Sequence, residues 1–210
     1  MTNALPDRDY EILSDLLNVS HETFEKLKRY QFIAEKWQRS INLVAPSTVP
    51  DFWIRHIVDS VQLAQYISSH DDVIMDMGSG AGFPGLVLSI LGYNNVHLIE
   101  SDQRKCIFLR EVSRETFSSP IIHQDRIESV SIDNVRWVTS RACANVSQLL
   151  SWSKKNVSRE TKCLFHKGKN YSIELSNAEK EWNFDVIAHP SVTEQGAAIL
   201  ELSHITRRGP

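Results

Sequence analysis

The chain is organised around the stretch Val73-Ile-Met-Asp-Met-Gly-Ser-Gly-Ala-Gly-Phe-Pro-Gly85. Its first residues form a short, partly β-branched apolar run that Gly78 stops, which predicts a strand over Val73–Met77. The glycines that follow permit positive φ angles and carry no Cβ atoms that would hold a ligand away from the backbone. Pro84 suits the first turn of a helix, where its missing N–H would have no partner in any case. The pattern predicts a nucleotide-type site at the carboxyl end of a first β-strand.

Two cofactors compete for this loop. Residues 80–85 match the G-x-G-x-x-G pattern of dinucleotide sites, and Glu100 lies near the distance expected of a ribose-binding acid. A pyrophosphate, however, requires free N–H groups and a positive helix end, whereas Pro84 removes one N–H and Asp76 places a carboxylate just before the turn. S-adenosylmethionine carries a sulfonium and an ammonium group and no phosphate, so the residues favour it. Its predicted contacts in the loop are Asp76, Gly78, Gly80 and Gly82.

Three further stretches accompany the glycine loop at residues 76–85. They are His56-Ile-Val-Asp-Ser60, Ser140-Arg-Ala142 and His166-Lys-Gly168. In this order the four stretches resemble the RsmG (GidB) family, whose members methylate guanine N7 in small-subunit ribosomal RNA. The resemblance covers the chain from about Trp37 to the C-terminus. Gly-Phe-Pro-Gly together with Ser-Arg-Ala is distinctive, whereas D-x-G-x-G alone indicates only the broad class of methyltransferases.

The order of predicted elements indicates one α/β domain behind a helical appendage. At 210 residues, 41% of them hydrophobic, the chain is long enough to bury a sizeable core. Strand and helix alternate after the glycine loop, as a doubly wound sheet requires, and two successive strands near the C-terminus predict a terminal antiparallel hairpin. We therefore expect a class I S-adenosylmethionine-dependent methyltransferase domain, Rossmann-like and mostly parallel, over residues 56–210. A helical N-terminal extension is expected over residues 1–55.

Ser20 is predicted to cap a helix of this extension, with Val19 and Phe24 placed as a hydrophobic staple. An apolar stripe along the helix indicates packing onto the catalytic domain rather than a ligand site. Its members are Phe24, Leu27, Tyr30, Ile33 and Trp37. A further helical region is expected from Ser47 to about Ile67. Beyond the loop, strands are predicted at Val96–Glu100, Ile121–His123, Arg136–Ser140, Cys163–His166, Phe184–His189 and Ile199–Ile205, and helices at Arg104–Thr116, Asn145–Trp152 and Tyr171–Glu181.

Cysteine usage and hydropathy argue against several classes of protein. The three cysteines, Cys106, Cys143 and Cys163, form no C-x-x-C pair, so neither a disulfide framework nor a zinc site is implied and a reducing cytoplasm fits. No apolar run approaches membrane length, and the first residues show no secretion signal. We therefore expect a cytoplasmic monomer without a metal and without membrane association.

Basic residues are concentrated locally although the formal net charge is −3. Such runs are usually solvated surface, but in an RNA methyltransferase they indicate a footprint on the RNA backbone. The predicted RNA contacts are Lys154, Lys155, Arg159, Lys167 and Lys169. A second cluster comprises Lys26, Lys28, Arg29, Lys36 and Arg39. The resemblance implies that the partner is small-subunit ribosomal RNA, either naked or within a ribonucleoprotein.

The ends of the predicted strands supply the remaining cofactor contacts. Glu100, which ends the second strand, is expected to accept hydrogen bonds from both ribose hydroxyls. Asp125 is one candidate for the adenine amino group, but the resemblance instead implies adenine contacts at Ile127 and Glu128, largely through their backbone. Phe83 is expected to close the pocket over the bound cofactor.

Arg141 ends the fourth strand, where many amino-methylating relatives carry an Asn-Pro-Pro-Tyr-type motif. The absence of that motif disfavours chemistry on adenine N6. Guanine N7 has an in-plane lone pair and bears no proton, so its methylation needs positioning rather than a general base. Arg141 is predicted to bind guanine O6 or the methionine carboxylate. The second catalytic candidate is His56, which could share one helical face with Asp59 one turn away. The resemblance implies that this pair lies near the cofactor or the target base.

Three alternatives stay open at this point. One is a methyltransferase that acts on a small molecule or a protein. Another is a nicotinamide-dependent oxidoreductase, against which Asp76 and Pro84 argue. The third is a non-catalytic RNA-binding or assembly protein that has kept the fold.

Overall fold

A computed structural model describes residues 8–209 of the chain. Seven strands lie in this part: β1 (Val73–Met77), β2 (Asn95–Ile99), β3 (Ile121–His123), β4 (Val135–Arg141), β5 (Lys162–Lys167), β6 (Trp182–Pro190) and β7 (Ala198–Arg207). Its α-helices are α1 (Arg8–Leu16), α2 (His21–Gln38), α3 (Asp59–Val61), α4 (Gly85–Ile90), α5 (Gln103–Thr116), α6 (Val146–Ser153) and α7 (Tyr171–Ala178). The predicted elements from β1 onward are confirmed, with bounds that differ by a few residues.

The strands form a single sheet in the order β3-β2-β1-β4-β5-β7-β6. The strands from β3 to β5 run parallel to one another, whereas β7 is antiparallel to both β5 and β6. The doubly wound sheet and its terminal antiparallel hairpin are thus as predicted. Because the order reverses at β1, the carboxyl ends of β1 and β4 border the crevice where ligands bind in such sheets.

The helix α2 packs against the helices α5 and α4. The Ser20 side chain accepts a hydrogen bond from the Thr23 amide and caps the helix, as predicted. Phe24, Leu27, Tyr30 and Ile33 are buried in one apolar cluster with sheet and α5 residues. The fifth member of the stripe, Trp37, is half-buried and donates its indole N–H to Glu111 at 3.1 Å. The stripe is therefore core, as its helical spacing predicted.

The region between α2 and β1 is helical but irregular. It contains two 3₁₀ turns, Pro46–Thr48 and Gln62–Gln65, and a π-helical segment, Trp53–Val58, that runs into α3. The predicted domain boundary between residues 55 and 56 falls inside this π-helical segment, and the division into two parts stays a prediction. Helical backbone of this kind turns its side chains less regularly than an α-helix, so the face of each residue does not follow from sequence spacing.

The turn from β1 into α4 is tight. Gly78, Gly80 and Gly82 adopt φ angles of +64°, +55° and +93°, a region that suits glycine. At Gly85 the helix starts so close to the strand that an added Cβ would lie 2.7 Å from the Cβ of Asp76 and 2.4 Å from the Cδ2 of Leu98. The short loop therefore has little freedom to take another path.

Replacing Gly85 with alanine tests this close approach. The extra methyl group overpacks the contact with Asp76, so we expect Gly85→Ala to lower the free energy of unfolding by about 1–3 kcal/mol in urea titrations. Gly168→Ala is the matched control, because a Cβ there meets nothing within 4 Å; its effect should stay within about 0.5 kcal/mol. Equal stability of the two variants would contradict the tight turn.

Candidate active site

A cavity of about 470 Å³ opens at the carboxyl ends of β1, β4 and β5. Its volume lies in the range of about 300–1,000 Å³ that small-molecule sites occupy. Its wall is built from parts of residues 43–59, 78–83, 141–143, 166–168 and 191–199, together with Lys105. The cavity thus joins the glycine loop to Arg141 and to the loop between β6 and β7.

The glycine loop is held in place from two sides. The Glu100 carboxylate accepts hydrogen bonds from the amide of Gly80 at 2.9 Å and from the amide of Asp102 at 2.7 Å. On the other side, the Tyr30 hydroxyl of α2 donates a hydrogen bond to the Ala81 carbonyl. Each Glu100 oxygen keeps a second lone pair, so the side chain can still accept from a ligand hydroxyl. A contact between Glu100 and a cofactor ribose stays a prediction.

Asp76 lies beneath the loop rather than in the cavity wall. Its side chain is fully buried and accepts a hydrogen bond from the Thr139 hydroxyl at 2.8 Å. Burial raises the pKa of Asp76 to about 6, partly opposed by the bonds from Thr139 and Ser79. The carboxylate therefore braces the turn and contributes negative charge below it, and its direct contact with a cofactor stays a prediction.

Phe83 forms the centre of an aromatic stack in the cavity wall. Its ring stacks on those of Tyr30 and His56, with centroids 5.1 Å away in each case. The guanidinium carbon of Arg141 lies 4.7 Å from the Phe83 ring centroid, in cation–π geometry. Phe83 thus both lines the cavity and belongs to the apolar core, and its closure over a bound cofactor stays a prediction.

His56 is buried in a neutral form. Its Nε2 atom lies 2.8 Å from the Thr48 hydroxyl, and no partner for Nδ1 is found in the described part of the chain. Burial lowers the pKa of His56 to about 3, and the nearby charge of Arg141 adds to that effect. Imidazole with so low a pKa is a weak proton acceptor at neutral pH, so the geometry favours a packing and positioning role.

Arg141 is fixed by the helical segment across the cavity. Its Nη1 donates to the Arg55 carbonyl at 2.8 Å and lies 3.6 Å from the Oδ2 of Asp59, an ion pair that is largely buried. Burial lowers the pKa of Arg141, and the Asp59 carboxylate opposes that shift. The predicted cofactor and catalytic residues Arg141, His56 and Phe83 are therefore brought together in one wall.

Asp59, which the resemblance placed with His56 near the cofactor or the target base, contacts several distant parts of the site. Its Oδ1 accepts hydrogen bonds from Gln62 at 2.8 Å and from Thr193 at 2.6 Å. Its backbone carbonyl lies 2.8 Å from the Nε2 of His166 at the end of β5. The sequence signal for these contacts was present in the stretches His56–Ser60 and His166–Gly168, but spacing alone did not pair them.

The predicted adenine contacts lie outside the cavity wall. Ile127 and Glu128 form a 3₁₀ turn after β3, and Glu128 is exposed while its carbonyl accepts from the Lys155 ammonium at 2.8 Å. Glu100 likewise lies behind the loop rather than in the wall. These three assignments stay predictions.

The predicted RNA contacts fall into two groups. Lys154, Lys155, Arg159 and Lys169 are exposed. Lys167 is instead buried in the cavity wall, where its ammonium contacts Glu174 at 2.9 Å and donates to the Ala144 carbonyl. A phosphate that reached Lys167 would have to compete with these partners, and its RNA contact stays a prediction. In the second cluster, Lys26 and Arg29 are paired with Glu22 and Glu115.

Within residues 8–209, no group of three or more His, Cys, Asp or Glu residues is arranged to hold a metal ion. No helix in the same range is both long and apolar enough to cross a membrane.

One protein family matches most of the chain. The family described as GidB, rRNA small subunit methyltransferase G, matches residues 23–203. A protein named ribosomal RNA small subunit methyltransferase G from Paramagnetospirillum magneticum is 46% identical over 189 residues, covering 90% of this chain and 92% of its own. A protein of the same name from Rickettsia prowazekii is 44% identical over 191 residues, covering 91% of this chain and 99% of its own.

Solved structures share the fold at low sequence identity. A TehB-like SAM-dependent methyltransferase from Corynebacterium glutamicum superposes with a TM-score of 0.54 at 13% identity, over 87% of this chain and 97% of that one. At this identity the likeness bears on the fold alone. It confirms the predicted class I methyltransferase fold.

The buried neutral state of His56 predicts a pH dependence of stability. Its pKa is about 3 in the folded chain against an ordinary 6.5, so the unfolded chain takes up a proton first as the pH falls below 6.5. This contribution to stability is present above pH 6.5 and is lost towards pH 3, by about 0.7–1.4 kcal/mol per pH unit. In urea titrations, His56→Gln should flatten the loss of stability between about pH 6.5 and 5. The exposed His21→Gln is the control, and equal slopes in both variants would contradict this origin.

Proposed function

The chain belongs to the GidB family of rRNA small subunit methyltransferase G proteins, and we propose that it methylates N7 of a guanosine in the decoding-centre loop of 16S ribosomal RNA. The methyl donor is S-adenosylmethionine. The observation that carries this proposal is the continuity of the cavity, whose wall contains both the glycine loop and Arg141. A cofactor held on the loop would face a base held beside Arg141 across a short distance.

The residues of the loop fit S-adenosylmethionine better than a dinucleotide. The positive φ angles at Gly78 and Gly80 turn bare backbone towards the cavity, and Glu100 is proposed to accept hydrogen bonds from the ribose hydroxyls. The charge of Asp76 beneath the turn opposes a pyrophosphate and favours a cationic ligand. Ile127 and Glu128 are proposed to meet the adenine through their backbone, and Phe83 to bound the pocket.

The proposed reaction is a single in-line displacement. Bound S-adenosylmethionine supplies an electrophilic methyl group on its sulfonium, and guanine N7 offers a lone pair that carries no proton. No side chain therefore has to remove a proton, which agrees with the lowered pKa of His56. Arg141, held by Asp59 and stacked on Phe83, is proposed to position the reactants by a hydrogen bond to guanine O6 or to the methionine carboxylate. Positioning then supplies most of the rate enhancement.

The surface around residues 154–169 is proposed to hold the RNA backbone. Lys154, Lys155, Arg159 and Lys169 present exposed charges there, and Lys167 stands at the cavity wall. The protein is proposed to act as a monomer in the cytoplasm, where ribosomal RNA is found.

Cofactor binding gives the first test of this function. Calorimetry should show binding of S-adenosylmethionine and S-adenosylhomocysteine and no binding of NAD. Glu100→Ala removes charge-assisted hydrogen bonds and should weaken cofactor affinity about 10- to 100-fold. Glu128→Ala is the control, because its proposed contact is made by the backbone and the loss should stay below about twofold. Tight NAD binding, or equal losses in the two variants, would contradict the assignment.

Transfer of an isotopic methyl group from S-adenosylmethionine to small-subunit ribosomal RNA tests the activity itself. Strand scission specific for 7-methylguanosine should then identify the modified position. Methyl groups found on N6 or C5 of a base would overturn the assignment of the atom.

Alanine substitutions of Arg141 and of the surface lysines should affect different quantities, the methylation rate and the salt dependence of RNA binding. Arg141→Ala should lower the methylation rate at saturating RNA about 10- to 100-fold, because one positioned contact is lost from the transition state. The salt dependence of RNA binding by Arg141→Ala should be the same as that of the wild-type protein. Lys154→Ala should instead flatten the log–log salt slope by up to about 0.7–0.9 and leave the saturated rate unchanged. A lysine-like response of Arg141→Ala would make Arg141 one more phosphate contact.

A further inference from the structure

Reaction at N7 does not by itself select guanine. Adenine also has an in-plane N7 lone pair, so the enzyme must tell the two purines apart by other atoms. Guanine presents the O6 acceptor next to the N1–H and N2–H₂ donors, whereas adenine presents a donor at N6 next to an acceptor at N1. A site that selects guanine therefore needs a hydrogen-bond donor and an acceptor side by side.

Arg55 and Glu194 form such a pair in the cavity wall. The Arg55 Nη1 lies 2.8 Å from the Glu194 Oε2, and both side chains are partly open to solvent, at 39% and 38%. Of the residues described, two acids line the cavity, Asp59 and Glu194. Asp59 is occupied by Gln62, Thr193 and the ion pair with Arg141. Glu194 keeps Oε1 for a ligand, because its described side-chain contact is made by Oε2.

The backbone that carries Glu194 is held firmly. Within the β6–β7 loop, the Glu194 amide donates to the Ser191 hydroxyl at 3.3 Å, and its carbonyl accepts from the Ala197 amide at 3.1 Å. The loop is also tied to the helical segment, since the Val192 amide donates to the side chain of Gln62 at 3.1 Å. A carboxylate on such a support is preorganised, which recognition of one base edge requires.

We infer that Glu194 is the residue that selects guanine, by accepting hydrogen bonds from N1–H and N2–H₂ while Arg55 donates to O6. This inference rests on the proposed function. The order of groups, donor then acceptor, matches the guanine edge. With adenine the same pair would set Arg55 against the N6 amino group and Glu194 against the N1 lone pair. Both contacts are repulsive and leave polar groups unpaired, so adenine is rejected although its N7 is nucleophilic.

The experiment combines a change in the enzyme with a change in the base. RNA is prepared with guanosine or inosine at the position identified by N7-specific scission; inosine lacks only the 2-amino group. Methyl transfer is measured as kcat/KM for wild type and Glu194→Ala on both RNAs, with S-adenosylmethionine affinity measured in parallel. Glu115→Ala is the matched control, since Glu115 is paired with Arg29 and does not line the cavity.

Replacing guanosine with inosine should lower kcat/KM about 10- to 100-fold for the wild-type protein and for Glu115→Ala, because one hydrogen bond to a charged acceptor is lost. Glu194→Ala should show a loss at least as large on guanosine RNA, because it removes the acceptor for both N1–H and N2–H₂. Its further loss on inosine RNA should be less than about twofold, because the partner of the amino group is already gone. Cofactor affinity should be unchanged. Should the alanine variant fold poorly, Glu194→Gln replaces it, with an inosine penalty smaller than that of the wild type.

An equal inosine penalty in wild type and Glu194→Ala would overturn the inference while leaving the proposed function intact. So would a wild-type protein that methylates inosine RNA as fast as guanosine RNA. Absence of methyl transfer to RNA by the wild-type protein would overturn the proposed function, and this inference with it.

Discussion

The turn of the chain from β1 into α4 is the constraint on which the rest of the structure depends. Three glycines take left-handed backbone conformations within five residues, and Gly85 approaches Asp76 so closely that only a hydrogen atom fits. Beneath the turn, the hydrogen bond from Thr139 to Asp76 joins the two central strands. Because these close contacts restrict the conformation of the glycine loop, its bare backbone lies at the crevice between β1 and β4. Every other part of the site is arranged around that crevice.

Asp59 holds together the wall of the cavity that contains Arg141, as the glycine turn organises the wall on the side of β1. It contacts side chains from β4, β5 and the β6–β7 loop, and so ties three distant parts of the chain to the helical segment before β1. The charge balance follows from this arrangement. Arg141 stays charged beside Asp59, while His56 is neutral because its burial disfavours the charged form and the nearby charge of Arg141 adds to that effect. A wall of this kind orients an arginine without supplying a strong base, which suits alkylation of an atom that carries no proton.

The sequence by itself determined the fold and the position of the cofactor loop. Periodicity and local backbone chemistry predicted the strand Val73–Met77, the stripe on α2 and the capping Ser20. Both act over a few neighbouring residues, so their effects can be predicted from the linear sequence. The family could also be identified from the sequence, because each of the four stretches that indicate it is short and uninterrupted. Among the site residues, Phe83, His56 and Arg141 each come from a motif and line one cavity, while their roles towards cofactor and base stay predictions.

Only the tertiary structure decided which distant side chains meet. Sequence order separates Asp59 from Thr193 and Arg55 from Glu194 by more than a hundred residues, and their pairing depends on how the terminal hairpin returns beside β5. The sequence also did not indicate which charged side chains are buried. Lys167 reads as a surface charge in a basic run but is enclosed with Glu174, and Asp76 lies below the loop instead of in the cavity. Neighbours along the chain set local conformation, whereas burial and the pairing of charges depend on packing across the sheet.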